Sequence, residues 1–128
     1  MSSTQLRLAK SCSILMRIRK DLHVYQNRAV SFIKDKPRCA LFLDMGLGKT
    51  ISTLTALQDL KGNDLLHGKT LVIAPLRVAN TVWETEASKW SHINLTFSLC
   101  TGAASKREKA LEDQADVYII NRENIPWL

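Results

Sequence analysis

Residues 44–50 read DMGLGKT and combine two glycines with a lysine–threonine pair. Glycine has no Cβ, so the backbone can turn tightly there and bring its N–H groups close to an anion. The ammonium of Lys49 can reach the β- and γ-phosphates of a nucleotide, and the hydroxyl of Thr50 can ligate Mg²⁺. The spacing therefore predicts a phosphate-binding loop in which Lys49 and Thr50 serve catalysis. The residues expected to surround the phosphates are Met45, Gly46, Leu47, Gly48, Lys49 and Thr50.

One position departs from the general phosphate-loop pattern GxxxxGK[ST]. The first glycine of that pattern is replaced by Leu43. The alternative interpretation is a turn followed by a helix start, with no ligand. The position of the motif, between an apolar run and an amphipathic segment, favours the phosphate loop.

The elements around this loop follow an alternating pattern of periodicities. Helical spacing predicts helices over residues 21–34, 49–60 and 77–90. A capping-box spacing predicts a charged helix over 105–114, with Ser105 as its N-cap and Glu108 three residues later. Short apolar runs predict buried strands at 39–43 (CALFL), 70–74 (TLVIA), 95–99 (LTFSL) and 116–120 (DVYII). Strands that alternate with helices are typical of an α/β fold with a parallel sheet.

The chain has 128 residues and a net charge of +6, but the basic excess is local. Residues 1–20 hold five basic and no acidic residues, so the rest of the chain is nearly neutral and the charge is weak evidence for DNA binding. We predict a basic extension at 1–20, poorly ordered or weakly helical, and a domain at 21–128. A transit peptide is the alternative reading of the acid-free, serine-containing extension.

The three cysteines lie far apart and form no CxxC pair. This spacing argues against a disulfide framework or a zinc site and fits a reducing cytoplasm. No apolar run reaches the length of about 20 residues that a membrane-spanning helix needs. Cys39 and Cys100 fall in or beside predicted strands, where we expect them to be buried.

The DMGLGKT segment resembles motif I, a Walker A loop, of the Swi/Snf-like DExx-box ATPases of helicase superfamily two. The likeness extends over residues 22–125 and implies a RecA-like P-loop sheet with flanking helices that binds ATP and Mg²⁺. The segment LHVYQNRAV is similar to the family's upstream Tyr-Gln segment. The resemblance implies that Gln26 recognises the adenine edge and that Tyr25 packs nearby.

Two further segments are similar to motifs that contact nucleic acid in this family. LVIAPLRV resembles motif Ia, which would place Pro75 and Arg77 near a phosphate backbone. The turn CTG resembles motif Ib, in which Thr101 and Gly102 would bind phosphate. The implied partner of the complete protein is double-stranded DNA. Ordinary strand-to-helix turns are the alternative interpretation of both segments.

The segment VYIINRE resembles the strand just before motif II. Asn121 could instead stand in place of the motif II aspartate, but an amide lacks the charge that Mg²⁺ prefers. We therefore expect a sheet that is incomplete at its C-terminal side, with an exposed apolar edge and marginal stability. The resemblance implies a fragment that binds nucleotide but does not hydrolyse it usefully, with the remainder lost or separately encoded.

Two alternatives remain open beside the helicase fragment. One is a non-catalytic module that binds nucleotide or DNA, or an inactive relic of such a helicase. The other is a small P-loop kinase, which requires an arginine-bearing lid and an acceptor site that the sequence does not show.

Overall fold

The computed structural model describes residues 16–43, 48–66 and 68–128. These residues form the helices α1 (Val24–Asp35), α2 (Lys49–Gly62), α3 (Leu76–Ser88) and α4 (Ala104–Glu112). They also form the strands β1 (Thr70–Ala74), β2 (Phe97–Cys100) and β3 (Val117–Asn121). Short 3₁₀ turns lie at Arg19–Asp21 and Arg122–Asn124.

The three strands form one parallel sheet in the order β1-β3-β2. The central strand β3 is buried along its whole length, as expected for an apolar run covered on both faces. Ala74 pairs with Asn121, and Cys100 pairs with Ile120, so the carboxyl ends of the strands meet at one edge. This edge is where parallel α/β sheets place their ligands. The α/β parallel sheet predicted from the sequence is confirmed.

Alternate residues of β3 build a separate core on each face of the sheet. Val117 and Ile119 pack with Leu54 of α2 and with alanines of α3. Tyr118 and Ile120 pack with Cys100 and with Ala110 of α4. The sheet is therefore a middle layer between α3 on one face and α4 on the other.

The predicted strand at residues 39–43 is wrong. The structure gives this run no strand, and Phe42 is 96% exposed. A strand needs a neighbour to accept and donate its backbone hydrogen bonds, and no described strand lies beside these residues. Cys39 is accordingly exposed rather than buried, whereas Cys100 is buried as expected. Burial raises the pKa of the Cys100 thiol.

The other predicted elements are present, with shifted boundaries. The strand at Thr70–Ala74 is confirmed to the residue, and the helix from Lys49 continues to Gly62. The last helix begins at Ala104, so Ala103 and not Ser105 occupies the N-cap position. The chain turns one residue earlier, at Gly102 with φ +87°, and this turn starts the helix before Ser105 can cap it.

Residues 16–22 pack against the domain. The backbone of Arg17 bonds to both neighbours of Trp90. Its N–H donates to the carbonyl of Lys89, and its carbonyl accepts the N–H of Ser91, each with an N···O distance of 2.8 Å. The Arg17 guanidinium lies 5.6 Å from the centre of the Trp90 ring. Leu22 completes a small core with Ile51 and Trp90. The end of the predicted basic extension is thus ordered by backbone pairing, while residues 1–15 lie outside the described residues.

Candidate functional site

Gly48 forms the N-cap of α2 in a left-handed conformation, with φ +75°. Its carbonyl accepts the backbone N–H of Ser52 at 3.1 Å, which begins the helical hydrogen-bond ladder. The preceding N–H groups of the first turn have no intrahelical acceptor and point out of the helix end, where the helix dipole is positive. The local structure therefore presents donors and positive potential at the end of the loop.

The side chain of Gln26 packs directly on Gly48. A Cβ at position 48 would lie 2.2 Å from Gln26 Nε2, closer than any real contact allows. Gln26 is 6% exposed, and its Oε1 accepts the backbone N–H of His23 at 2.8 Å. Position 48 thus favours glycine because of its positive φ, and an added Cβ would also displace the Gln26 amide.

Lys49 and Thr50 occupy the first turn of α2. The ammonium of Lys49 is exposed and donates to the carbonyl of Leu43 at 2.6 Å, which spans the two ends of the loop. Thr50 is half-buried beside it. Met45, Gly46 and Leu47 lie outside the described residues.

A cavity of about 170 Å³ opens beside Gly48. Its walls include Arg17, Tyr25, Gln26, Glu86 and Trp90. Tyr25 stacks on the ring of His23, with ring centres 5.4 Å apart and planes inclined by 13°. The cavity therefore lies between Gln26, the residue that the family resemblance assigns to adenine, and Gly48 at the end of the loop. Arg17 and Glu86 were missed by the sequence analysis because no motif marks them.

The predicted nucleic-acid residues lie at the carboxyl edge of the sheet. Pro75 precedes α3, and Arg77 is exposed in the first turn of that helix. Thr101 follows β2 and donates its hydroxyl to Asn80 Oδ1 of α3 at 2.9 Å. This bond connects the two predicted motifs, and Asn80 carries no sequence signal that would have predicted it.

Gly102 continues the same edge with a left-handed backbone. The aliphatic part of Lys106 lies against it, since a Cβ at Gly102 would be 3.5 Å from Lys106 Cδ. No sequence pattern marks Lys106, because it belongs to a charged helix face with both signs of charge.

Asn121 ends the central strand and is held within its own turn. Its amide donates to Glu123 Oε2 at 3.0 Å, and its carbonyl oxygen accepts from Asn124 at 2.6 Å. Both the NH₂ group and the oxygen of the Asn121 side chain are therefore bonded within this turn.

Asp59 of α2 connects this helix to the segments on either side of Gln26. It accepts hydrogen bonds from both terminal nitrogens of Arg19, and Lys34 Nζ lies 3.0 Å from its Oδ2. The hydrogen bonds from Arg19 hold the pKa of the Asp59 carboxyl below its usual range, against the opposing effect of burial, and Lys34 lowers it further.

Comparison with known proteins identifies the family of this sheet and loop. The SNF2-related domain model matches residues 14–126. The chain therefore belongs to the SNF2-related domain family. Among the described residues, no helix is both long and apolar enough to cross a membrane.

Relatives in sequence and structure support the same assignment. Putative protein p41 of Acyrthosiphon pisum secondary endosymbiont phage 1 is 41% identical over 106 residues, covering 81% of this chain and 23% of that protein. Chromodomain-helicase-DNA-binding protein 8 of Homo sapiens is 39% identical over 80 residues, covering 59% of this chain and 3% of that protein.

A solved structure, the Sulfolobus solfataricus SWI2/SNF2 ATPase core in complex with dsDNA, matches with a TM-score of 0.66 and 31% identity. The match covers 84% of this chain and 22% of that one. The fold is thus part of the RecA-like lobe of a SNF2 ATPase core, as the resemblance implied. The chain spans less than a quarter of the length of each of these three proteins.

Proposed function

We propose that this chain is the ATP-binding part of a SNF2-family ATPase, and that it binds ATP with Mg²⁺ at the start of α2. The observation that carries the proposal is the contact between Gly48 and Gln26. It unites a left-handed glycine, a helix N-terminus and a buried amide around one cavity. Gln26 would hold the adenine edge through its side-chain amide, whose oxygen has a second lone pair beside the one that accepts the His23 N–H.

The residues present at this position fit a nucleotide and Mg²⁺. The helix that starts after Gly48 offers phosphate oxygens the unbonded N–H groups of its first turn and the positive end of its dipole. The Lys49 ammonium supplies a mobile positive charge, and the Thr50 hydroxyl is an oxygen ligand of the kind that Mg²⁺ accepts beside phosphate oxygens. Bound Mg²⁺ would supply charge neutralisation on the phosphates.

We further propose that the isolated chain binds ATP without appreciable hydrolysis. Efficient phosphoryl transfer needs a carboxylate for Mg²⁺ and a group that orients the attacking water. Asn121, at the end of the central strand, offers only an amide, and this amide is engaged with Glu123 and Asn124. Hydrolysis would belong to the whole SNF2 core, through residues of a further portion of polypeptide, continuous or separately encoded.

Equilibrium titration with a fluorescent ATP analogue and Mg²⁺ tests the site. A hydrogen bond to a charged group contributes about 1.5–3 kcal/mol, so Lys49→Ala should weaken binding by roughly ten- to a hundredfold. Lys36→Ala removes the same charge from an exposed position after α1 and should leave the affinity unchanged. Equal affinities for the original chain and Lys49→Ala would contradict the assignment.

The carboxyl edge of the sheet supports a second function, contact with double-stranded DNA. Arg77 follows β1 at this edge, Thr101 and Gly102 follow β2, and the similar Sulfolobus core is described in complex with dsDNA. Hydroxyls, backbone amides and arginine are the groups that proteins use to contact phosphates of the DNA backbone. The alternative of a module that binds nucleotide or DNA without any catalysis predicts the same two sites and no ATP turnover in any assembly.

A further inference from the structure

The segment that carries Gln26 is anchored to α2 at both of its ends by one carboxylate. Arg19 lies seven residues before Gln26 and Lys34 lies eight residues after it, and both pair with Asp59. Asp59 sits on the helix that begins with the Gly48 N-cap. Among the described residues, Asp59 alone pairs with both Arg19 and Lys34. It therefore connects them to α2, the helix that begins at the proposed phosphate site.

α1 packs along α2, but the apolar contacts between their buried side chains have no fixed direction. Of the residues of α1, only Gln26, Ala29 and Val30 are buried. Ala29 and Val30 are small, and Val24 remains 71% exposed. Contacts between such side chains are non-directional, so they allow one helix to slide or rotate against the other more readily than directed hydrogen bonds do.

The ion pairs of Asp59 add directional contacts between α2 and the segment that carries Gln26. Arg19 donates through both terminal nitrogens, and this two-point geometry fixes orientation as well as distance. The side chain of Asp59 is only 15% exposed, so solvent screens these pairs less than it screens the other ion pairs of the domain surface.

The position of α1 along α2 determines where the Gln26 amide lies. Asp59 is ten residues along the helix from Lys49, about 15 Å from the helix start. The Gln26 amide fits at Gly48 with no space to spare, since an added Cβ would overlap Nε2. A shift of α1 by a fraction of one turn, which is about 5.4 Å long, would remove this contact.

We propose that Asp59 is a positioning residue that holds Gln26 against Gly48 and thereby sets the discrimination between adenine and other purine bases. This inference rests on the proposed nucleotide site. Asp59 does not touch the nucleotide; it acts by fixing the amide that would read the base edge. Loss of the carboxylate should reduce base selectivity more than it reduces attraction for the triphosphate.

The test compares Asp59→Asn with Asp116→Asn. Asp116 is a matched control, because its carboxylate also accepts from a lysine, Lys61, and from Thr96, but it contacts no part of α1. Affinities for ATP and GTP with Mg²⁺ give the selectivity, and thermal unfolding gives the stability of each variant. Asp59→Asn should reduce the ATP-to-GTP affinity ratio about fivefold, as the loss of one neutral hydrogen bond between Gln26 and the base implies. Asp116→Asn should keep the ratio, and Asp59→Glu should restore part of it.

A second measurement needs no nucleotide. A nuclear Overhauser effect between the Gln26 side-chain amide and the Gly48 α-protons should be present in the original chain and in Asp116→Asn, and lost in Asp59→Asn. Persistence of this signal in folded Asp59→Asn, or an unchanged ATP-to-GTP ratio, would overturn the positioning role. The chain could instead bind no nucleotide while the Gln26–Gly48 signal still depends on Asp59. That result would overturn the proposed function and the effect on base selectivity, but it would support the placement of Gln26 by Asp59.

Discussion

At the scale of single residues, Gly48 has the least room for a Cβ among the glycines that the structure describes. Its φ of +75° is unfavourable for any side chain, and the Gln26 amide fills the space where a Cβ would lie. The sequence marked this glycine through its motif, but only the fold shows the second reason for it. Contact with Gln26 depends on how α1 packs on α2, which local sequence patterns do not encode.

Replacement of Gly48 by alanine should destabilise the chain and impair ATP binding together. A positive φ at a non-glycine residue costs about 1–3 kcal/mol, and displacement of Gln26 adds to this. Gly62 ends the same helix with no atom within 4 Å of an added Cβ, so Gly62→Ala should be neutral or stabilising by up to about 1 kcal/mol. Urea unfolding measures both variants, and equal stabilities would contradict the constraint at Gly48.

The stability of the chain should fall between neutral and mildly acidic pH because of His92. Its Nε2 lies 2.8 Å from Thr55 Oγ1, while Nδ1 is buried without a partner among the described residues. Burial, with a smaller effect of the nearby Arg19, lowers the pKa of His92. The unfolded chain, with a pKa of about 6.5, therefore binds a proton more readily, so stability is full above about pH 6.5 and decreases below it.

The free energy of unfolding at pH 7.5 and 5.5 checks this expectation. His92→Gln should reduce the loss of stability between the two values, whereas His23→Gln, at an exposed histidine, should not. If the original chain and His92→Gln lose stability equally over this interval, the pH dependence arises elsewhere.

At the scale of elements, sequence patterns predicted strands well where neighbours complete them. The strand Thr70–Ala74 was predicted to the residue because Pro75 fixes its end and β3 pairs with it. The run at residues 39–43 has equally apolar residues, yet it forms no strand without a described partner. Strand formation depends on a neighbour that composition does not reveal.

The central strand β3 and the edge strand β1 should differ sharply in their response to truncation. Ile119 is fully buried in the central strand, so Ile119→Ala should cost about 2–5 kcal/mol through lost burial and a cavity. Ile73 on the edge strand β1 is 52% exposed, so Ile73→Ala should cost far less. Chemical denaturation of both variants measures the difference. A similar cost at both positions would mean that the exposed face of β1 is covered in solution.

At the scale of the whole molecule, the basic excess near the amino end is partly committed to internal contacts. Arg17 lies over Trp90, and Arg19 pairs with Asp59. These side chains hold residues 16–22 on the domain, so they are less available to a polyanion than the net charge of +6 suggests. The net charge therefore adds little support to the proposed DNA contact, which rests on the carboxyl edge of the sheet.

Arg77→Ala should therefore weaken binding of double-stranded DNA and lower its salt dependence. Loss of one phosphate contact reduces the slope of log affinity against log salt by about 1. Arg28→Ala removes the same charge from an exposed position on α1 and should keep the slope. Fluorescence anisotropy with a labelled duplex at several salt concentrations measures both. Equal slopes for the two variants would remove Arg77 from the DNA interface.

The central claim is that the start of α2 binds the triphosphate of ATP while Gln26 meets its base. Titration of the ¹⁵N-labelled chain with ATP and Mg²⁺, followed by heteronuclear NMR, tests this claim most directly. The largest shifts should fall on the backbone amides of Gly48, Lys49 and Thr50 and on the Gln26 side-chain amide, and they should vanish in Lys49→Ala. Saturating ATP that leaves these four signals in place, or that shifts only residues remote from the start of α2, would contradict the account.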